Sequence, residues 1–110
     1  MMITKEDFDK IEIHAGTVIN VELNAKARKP AYKVTVDFGE EIGIKTSSAQ
    51  ITSLYTAEKL IGRQVVCVTN FPPLHIASVK SEVLILGCNT DEGVVLLQPE
   101  RQVENGSRVF

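Results

Sequence analysis

The chain contains no tryptophan, two cysteines, two histidines, two tyrosines and four phenylalanines among 110 residues. Each shortage removes a class of function. Cys67 and Cys88 stand alone with no CxxC spacing, so zinc and dithiol redox chemistry find no support, and both read as small buried hydrophobes. His14 and His75 are far apart in sequence. No acid pair, Ser/His/Asp constellation or Gly-rich phosphate loop accompanies them, which points to a non-catalytic protein without a cofactor or metal. With so few aromatic rings to stack on bases, any nucleic acid would be recognised by shape and backbone. No apolar run approaches the ~18 residues of a membrane span, so membrane insertion is not expected. The opening MMITKEDFDK has no apolar h-region, and a cytoplasmic location is the default expectation. The formal charge of −2 argues against an indiscriminate polyanion binder and confines any nucleic-acid site to a local patch.

What is present suits a single domain over residues 1–110, large enough to bury roughly 60 to 70 per cent of its extended surface. Thr4 caps a short helix through residue 10, with Asp7 three residues on and Phe8 and Ile11 expected to plug one end of the core. From Ile11 to Leu23 apolar and polar residues alternate, predicting a strand of ~40 Å that must bend, with Gly16 the expected bulge. Tyr32, Val34, Val36 and Phe38 form the apolar side of a second strand. A hairpin turn at Gly39-Glu40-Glu41 leads to a third over 42–48. Thr56 and Gly62 bracket one or two helical turns. Strands follow at Gln64–Asn70 and Glu82–Cys88, and Pro72-Pro73 makes the connection between them a loop. Val94 to Leu97 is apolar on both faces, and Val109-Phe110 is apolar too. Something must cover them, and a homodimer is the expectation. Short strands with a helix between the third and fourth follow the order of a five-stranded OB-fold barrel, all-β with short helices and additional terminal segments.

Two ligand classes fit this scaffold. Lys26, Arg28 and Lys29, with Lys33 just beyond, form the most basic window, containing no acid. It reads either as a phosphate-contacting loop or as a solvated loop balancing its acidic neighbours. Lys45 and Lys80 could add phosphate contacts, while Ser48, Gln50, Asn70 and Ser81 could read sugar or base edges. Phe71, Leu74, Ile76 and Leu84 offer apolar anchors for an extended polypeptide, or else simply pack the barrel end.

From about residue 8 onward the chain resembles the small stand-alone tRNA-binding-domain proteins, a family with members described as export-linked molecular chaperones. The resemblance is carried by ARKPAYKVTVDFGEEIGIKTSSAQIT (27–52), LIGRQVVCVTNFPP (60–73), SEVLILG (81–87) and VVLLQPE (94–100). It implies an OB barrel, a homodimer, tRNA as ligand, RNA-facing roles for Asn70 and Ser81, and Leu84 where many relatives have Met. It also implies unfolded or presecretory polypeptides and the export machinery as further partners. The chain departs from the pattern at Leu74-His75-Ile76-Ala77-Ser78, where many relatives carry basic residues and a glycine. An apolar loop there weakens the electrostatic case for RNA and strengthens that for a peptide groove.

Overall fold

The computed structural model describes residues 1–110. In chain order the elements are α1 (Lys5–Asp9), β1 (Ile13–Leu23), β2 (Tyr32–Asp37), α2 (Gly39–Ile42), β3 (Ile44–Ala49), α3 (Ala57–Leu60) and β4 (Gln64–Val68). They continue with β5 (Leu74–Ile76), β6 (Val79–Ser81), β7 (Leu84–Ile85), β8 (Gly87–Thr90), β9 (Gly93–Leu96) and β10 (Arg108–Val109). The main sheet has the antiparallel order β3-β2-β1-β4-β7, with β10 added beside the start of β1. Its two ends meet at a seam where the Glu82 N–H donates to the Thr46 carbonyl at 2.8 Å and the Ser48 N–H donates to Ser81 Oγ at 3.0 Å. The result is a nearly closed five-stranded barrel of the OB type, as the element order predicts.

Alternation explains the barrel's interior. Val34, Val36 and Phe38 point inward from the second strand and its exit, meeting Val18, Val65, Cys67 and Leu60 in one buried cluster. Long β1 serves both β2 and β4, and it changes phase on the way. Its register with β2 slips between Val18 and Asn20, so Val18 is buried while Ile19 is exposed and Val21 is buried again. The bulge therefore lies at Ile19, not at the expected Gly16. Gly16 serves packing instead: a Cβ there would stand 2.6 Å from Val36 Cγ1 and 2.7 Å from Phe38 Cδ1.

Several other expectations are corrected. Helix α1 has the predicted capping box between Thr4 and Asp7, but of the two residues expected to plug the core Phe8 is only half-buried and Ile11 is exposed, and neither joins the core cluster. The Gly39-Glu40-Glu41 turn is a helical turn, α2, opened by Gly39 at φ 87°. The loop required by Pro72-Pro73 ends sooner than expected, because β5 and β6 pair as a hairpin through Ala77 and Ser78, both in the left-handed region. The single strand expected over 82–88 is divided among separate elements. At its break Gly87 packs so closely on Val94 and the Val95 carbonyl that a Cβ would clash. Cys67 is buried as expected, but Cys88 lies exposed on the β8–β9 hairpin. On that hairpin Leu96 is buried while Val95 and Leu97 remain exposed.

Candidate nucleic-acid interface and apolar cleft

The basic window forms the β1–β2 loop, where Lys26, Arg28 and Lys29 are exposed and take part in no ion pair. Asn24 shapes it: the Asn24 N–H donates to the Ala31 carbonyl at 2.9 Å, and Asn24 Oδ1 accepts from the Lys26 N–H at 3.2 Å. Lys33, on the strand that leaves this loop, is directly opposite Ser48 in register. Ser48 in turn reaches Ser81 across the seam, so Lys33, Ser48 and Ser81 make a continuous row over three strands. Gln50 follows exposed just past β3. Strands β2 and β3 place these groups by simple alternation, since their inward neighbours Val34 and Ser47 are buried.

The other basic residues differ in availability. Lys45 lies 3.8 Å from the Glu82 carboxylate, which offsets its charge, while Glu82 Oε1 accepts from the Thr46 N–H and hydroxyl, each at 3.2 Å. Lys80 is exposed and unpaired on the β5–β6 hairpin, opposite His75. Asn70 is occupied elsewhere. Its Oδ1 accepts from the Glu12 N–H at 3.0 Å and its Nδ2 donates to the Lys10 carbonyl at 2.7 Å. This side chain ties the α1–β1 junction to the end of β4. Beside it Thr69 Oγ1 is 2.9 Å from His14 Nδ1. Burial holds the His14 imidazole below its ordinary pKa, the Arg108 charge adds to this, and Glu12 opposes it.

The four predicted apolar anchors converge. Phe71, Leu74, Ile76 and Leu84 line one cleft of about 310 Å³ at the barrel seam, with Ser48, Ser81 and Glu82 at its polar side. Phe71 is 54% exposed and Leu74 64%, so this is not the barrel-end packing that the alternative reading allowed. The hairpin turn presents Leu74 and Ile76 on the same face as Ser81 and buried Val79. One residue escaped the sequence reading: Arg63, whose guanidinium lies 5.3 Å from the Tyr55 ring centre. Its isolation from other basic residues in sequence gave no signal.

A family model described as "Putative tRNA binding domain" matches residues 13–108. Among solved structures, the CsaA chaperone protein from Picrophilus torridus is 47% identical, with a TM-score of 0.95, over 99% of this chain and 100% of that one. The chaperone CsaA from Bacillus anthracis is also 47% identical, at a TM-score of 0.93, with both chains fully covered. A methionine–tRNA ligase from Methanococcoides burtonii is 35% identical over 107 residues, 96% of this chain. The chain spans only about 15% of that enzyme's length. The extent of the family match and the full-length likeness to both CsaA structures show that this chain belongs to the tRNA-binding-domain family.

Proposed function

We propose that the protein binds structured RNA of the tRNA class, without catalysis, on the outer face that runs from the β1–β2 loop across Lys33, Ser48 and Ser81 to the barrel seam. The observation that carries this reading is the conjunction of three exposed, unpaired cations with that polar row. Phosphate contacts from Lys26, Arg28 and Lys29 supply affinity, and the row supplies hydroxyls for sugar and base edges. The domain's likeness to part of a methionine–tRNA ligase agrees with tRNA as the ligand. Lys45 contributes less than the other lysines because Glu82 already holds it. Replacing Arg28 and Lys29 together by Ala tests the reading. Binding to any tRNA should weaken, and the slope of log affinity against log salt should flatten by up to ~2 units. An unchanged slope removes the loop from the site.

A second reading rests on the cleft. Its exposed apolar walls suit a side chain of an unfolded or presecretory polypeptide, in line with the chaperone name of the two CsaA structures. Leu74→Ser should then weaken binding of an unfolded apolar peptide and leave tRNA binding nearly unchanged. Equal, unaltered affinity for the peptide refutes the groove. Contact with export machinery would follow from such clients, in the cytoplasm. Homodimerisation belongs to the same proposal, because Val95, Leu97, Val109 and Phe110 are all exposed.

A further inference from the structure

We propose that Arg63 forms a second phosphate-contacting point, in a polar pocket at the opposite end of β4 from the apolar cleft. It rests on the RNA reading above and extends the footprint to a site that the basic loop does not reach. The pocket holds about 310 Å³ and has no hydrophobic residue in its lining. Its glutamines and charged side chains suit a polar ligand. Its charges decide the sign: Glu100 is taken up by Arg101, with Nε–Oε1 at 2.9 Å and Nη2–Oε2 at 3.2 Å, so that pair is neutral. Arg63 is left as the net charge, and it has no carboxylate partner.

The guanidinium is held for this role by its stack on Tyr55 at 5.3 Å, and not by an ion pair. Stacking orients the planar fork while leaving its N–H edges free, which suits a phosphate oxygen. Tyr55 is itself fixed, since its hydroxyl accepts from the Leu96 N–H at 3.0 Å and its carbonyl accepts from the Tyr32 hydroxyl at 2.9 Å. The backbone below is equally rigid. The Val18 N–H donates to the Arg63 carbonyl at 2.9 Å, and the Gly62 N–H donates to the Val18 carbonyl at 2.8 Å. Gln64 closes the floor through Nε2–H to the Val103 carbonyl at 2.8 Å and Oε1 from the Val103 N–H at 2.9 Å. Gln98 and Gln102 line the pocket with carboxamides that make no hydrogen bond to protein, so their donors remain free for an anion. An RNA touching both this pocket and the β1–β2 loop would be selected by backbone spacing, which suits a protein with little aromatic surface for stacking.

The test is equilibrium tRNA binding by the full chain as a function of salt. Wild type is compared with Arg63→Ala, Arg63→Lys, Gln102→Glu and the Arg28→Ala/Lys29→Ala double variant. Arg63→Ala should reduce the salt slope by about 0.7–0.9, the value for one lost phosphate contact. Arg63→Lys should keep the slope but lose affinity, because the ammonium cannot reproduce the stacked fork. Gln102→Glu alters only an exposed side chain and should weaken binding several-fold even if Arg63→Ala fails to fold. Inorganic phosphate at matched ionic strength should not displace the tRNA; displacement that depends on Arg63 would mark a free-anion site and overturn the backbone assignment. If the loop variant lowers the slope but neither Arg63→Ala nor Gln102→Glu changes binding, the pocket is refuted and the RNA reading stands. Absence of any tRNA binding by wild type overturns that reading and the pocket together.

Discussion

Asn70→Ala separates a structural role from a reading role at a residue for which the sequence suggests RNA contact. Its carboxamide makes two hydrogen bonds to backbone across 58 and 60 residues of sequence, one to Glu12 and one to Lys10. A typical bond of this kind contributes about 0.5–1.5 kcal/mol net, and exposure favours the low end because water replaces the lost partner. Removing both should therefore cost about 1–2 kcal/mol. Asn70→Asp keeps the acceptor for the Glu12 N–H but sets a carboxylate oxygen against the Lys10 carbonyl in place of a donor, so it should cost at least as much. Urea unfolding followed by far-UV circular dichroism suits a chain without tryptophan, and the midpoint should fall by roughly 0.5–1 M for the Ala variant. Hydrogen exchange should locate the loss: the Glu12 amide loses its own acceptor and should speed up the most, while amides of β2 and β3 that exchange only through global unfolding should speed up by no more than the loss in global stability allows. An unchanged midpoint together with an unchanged Glu12 amide would refute the tether and return Asn70 to the RNA face.

Three further outcomes follow from packing and titration. Gly16→Ala should destabilise by about 1–3 kcal/mol in the same unfolding assay, since the new methyl meets Val36, Phe38 and the Asp37 carbonyl at 2.6, 2.7 and 2.9 Å; a neutral result would show that β1 and β2 can part at low cost. A maleimide at neutral pH should label Cys88 and spare Cys67, whose thiol is pushed up to about 12 by burial, until the protein is unfolded; mass spectrometry of the native protein showing two adducts contradicts this. His14 has a folded pKa below its ordinary 6.5, so the unfolded chain binds the proton more readily. Its contribution is full above pH 6.5 and is lost as pH falls through the depressed folded value. His14→Asn should flatten that part of the stability profile, and identical profiles would exclude His14 as its source.

The barrel was legible where a single periodicity ran unbroken. Val34, Val36 and Phe38 alternate cleanly, and the inward face of β2 follows at once. The same rule misassigns Val18, which it puts on the polar face although it is buried, and Ile19, which it puts on the apolar face although it is exposed, because the bulge reverses the phase without any glycine or proline to mark it; Val21 beyond the bulge is buried as the alternation expects. Pro72 and Pro73 correctly exclude regular pairing at their own positions. The β5–β6 hairpin beyond them turns through Ala77 and Ser78, residues that seldom adopt positive φ, and so gave no turn signal. The same limits apply to the sites. The cleft's four apolar anchors were recognisable because the sequence clusters three of them around one turn, and strand pairing brings Leu84 to join them. The ties of Asn70 to Lys10 and Glu12 and the stack of Arg63 on Tyr55 depend on contacts between distant segments. No local pattern encodes them.

The central claim is that tRNA lies on the outer face formed by the β1–β2 loop, β2 and β3. Hydrogen exchange of the full chain with and without saturating tRNA tests it most directly, with each amide reporting its own segment. The account predicts protection in residues 24–31 and at the seam around Thr46, Ser48 and Ser81, where Ser48 and Ser81 are joined at 3.0 Å. Protection confined to the β8–β9 hairpin, with the loop and seam unchanged under full occupancy, would contradict it.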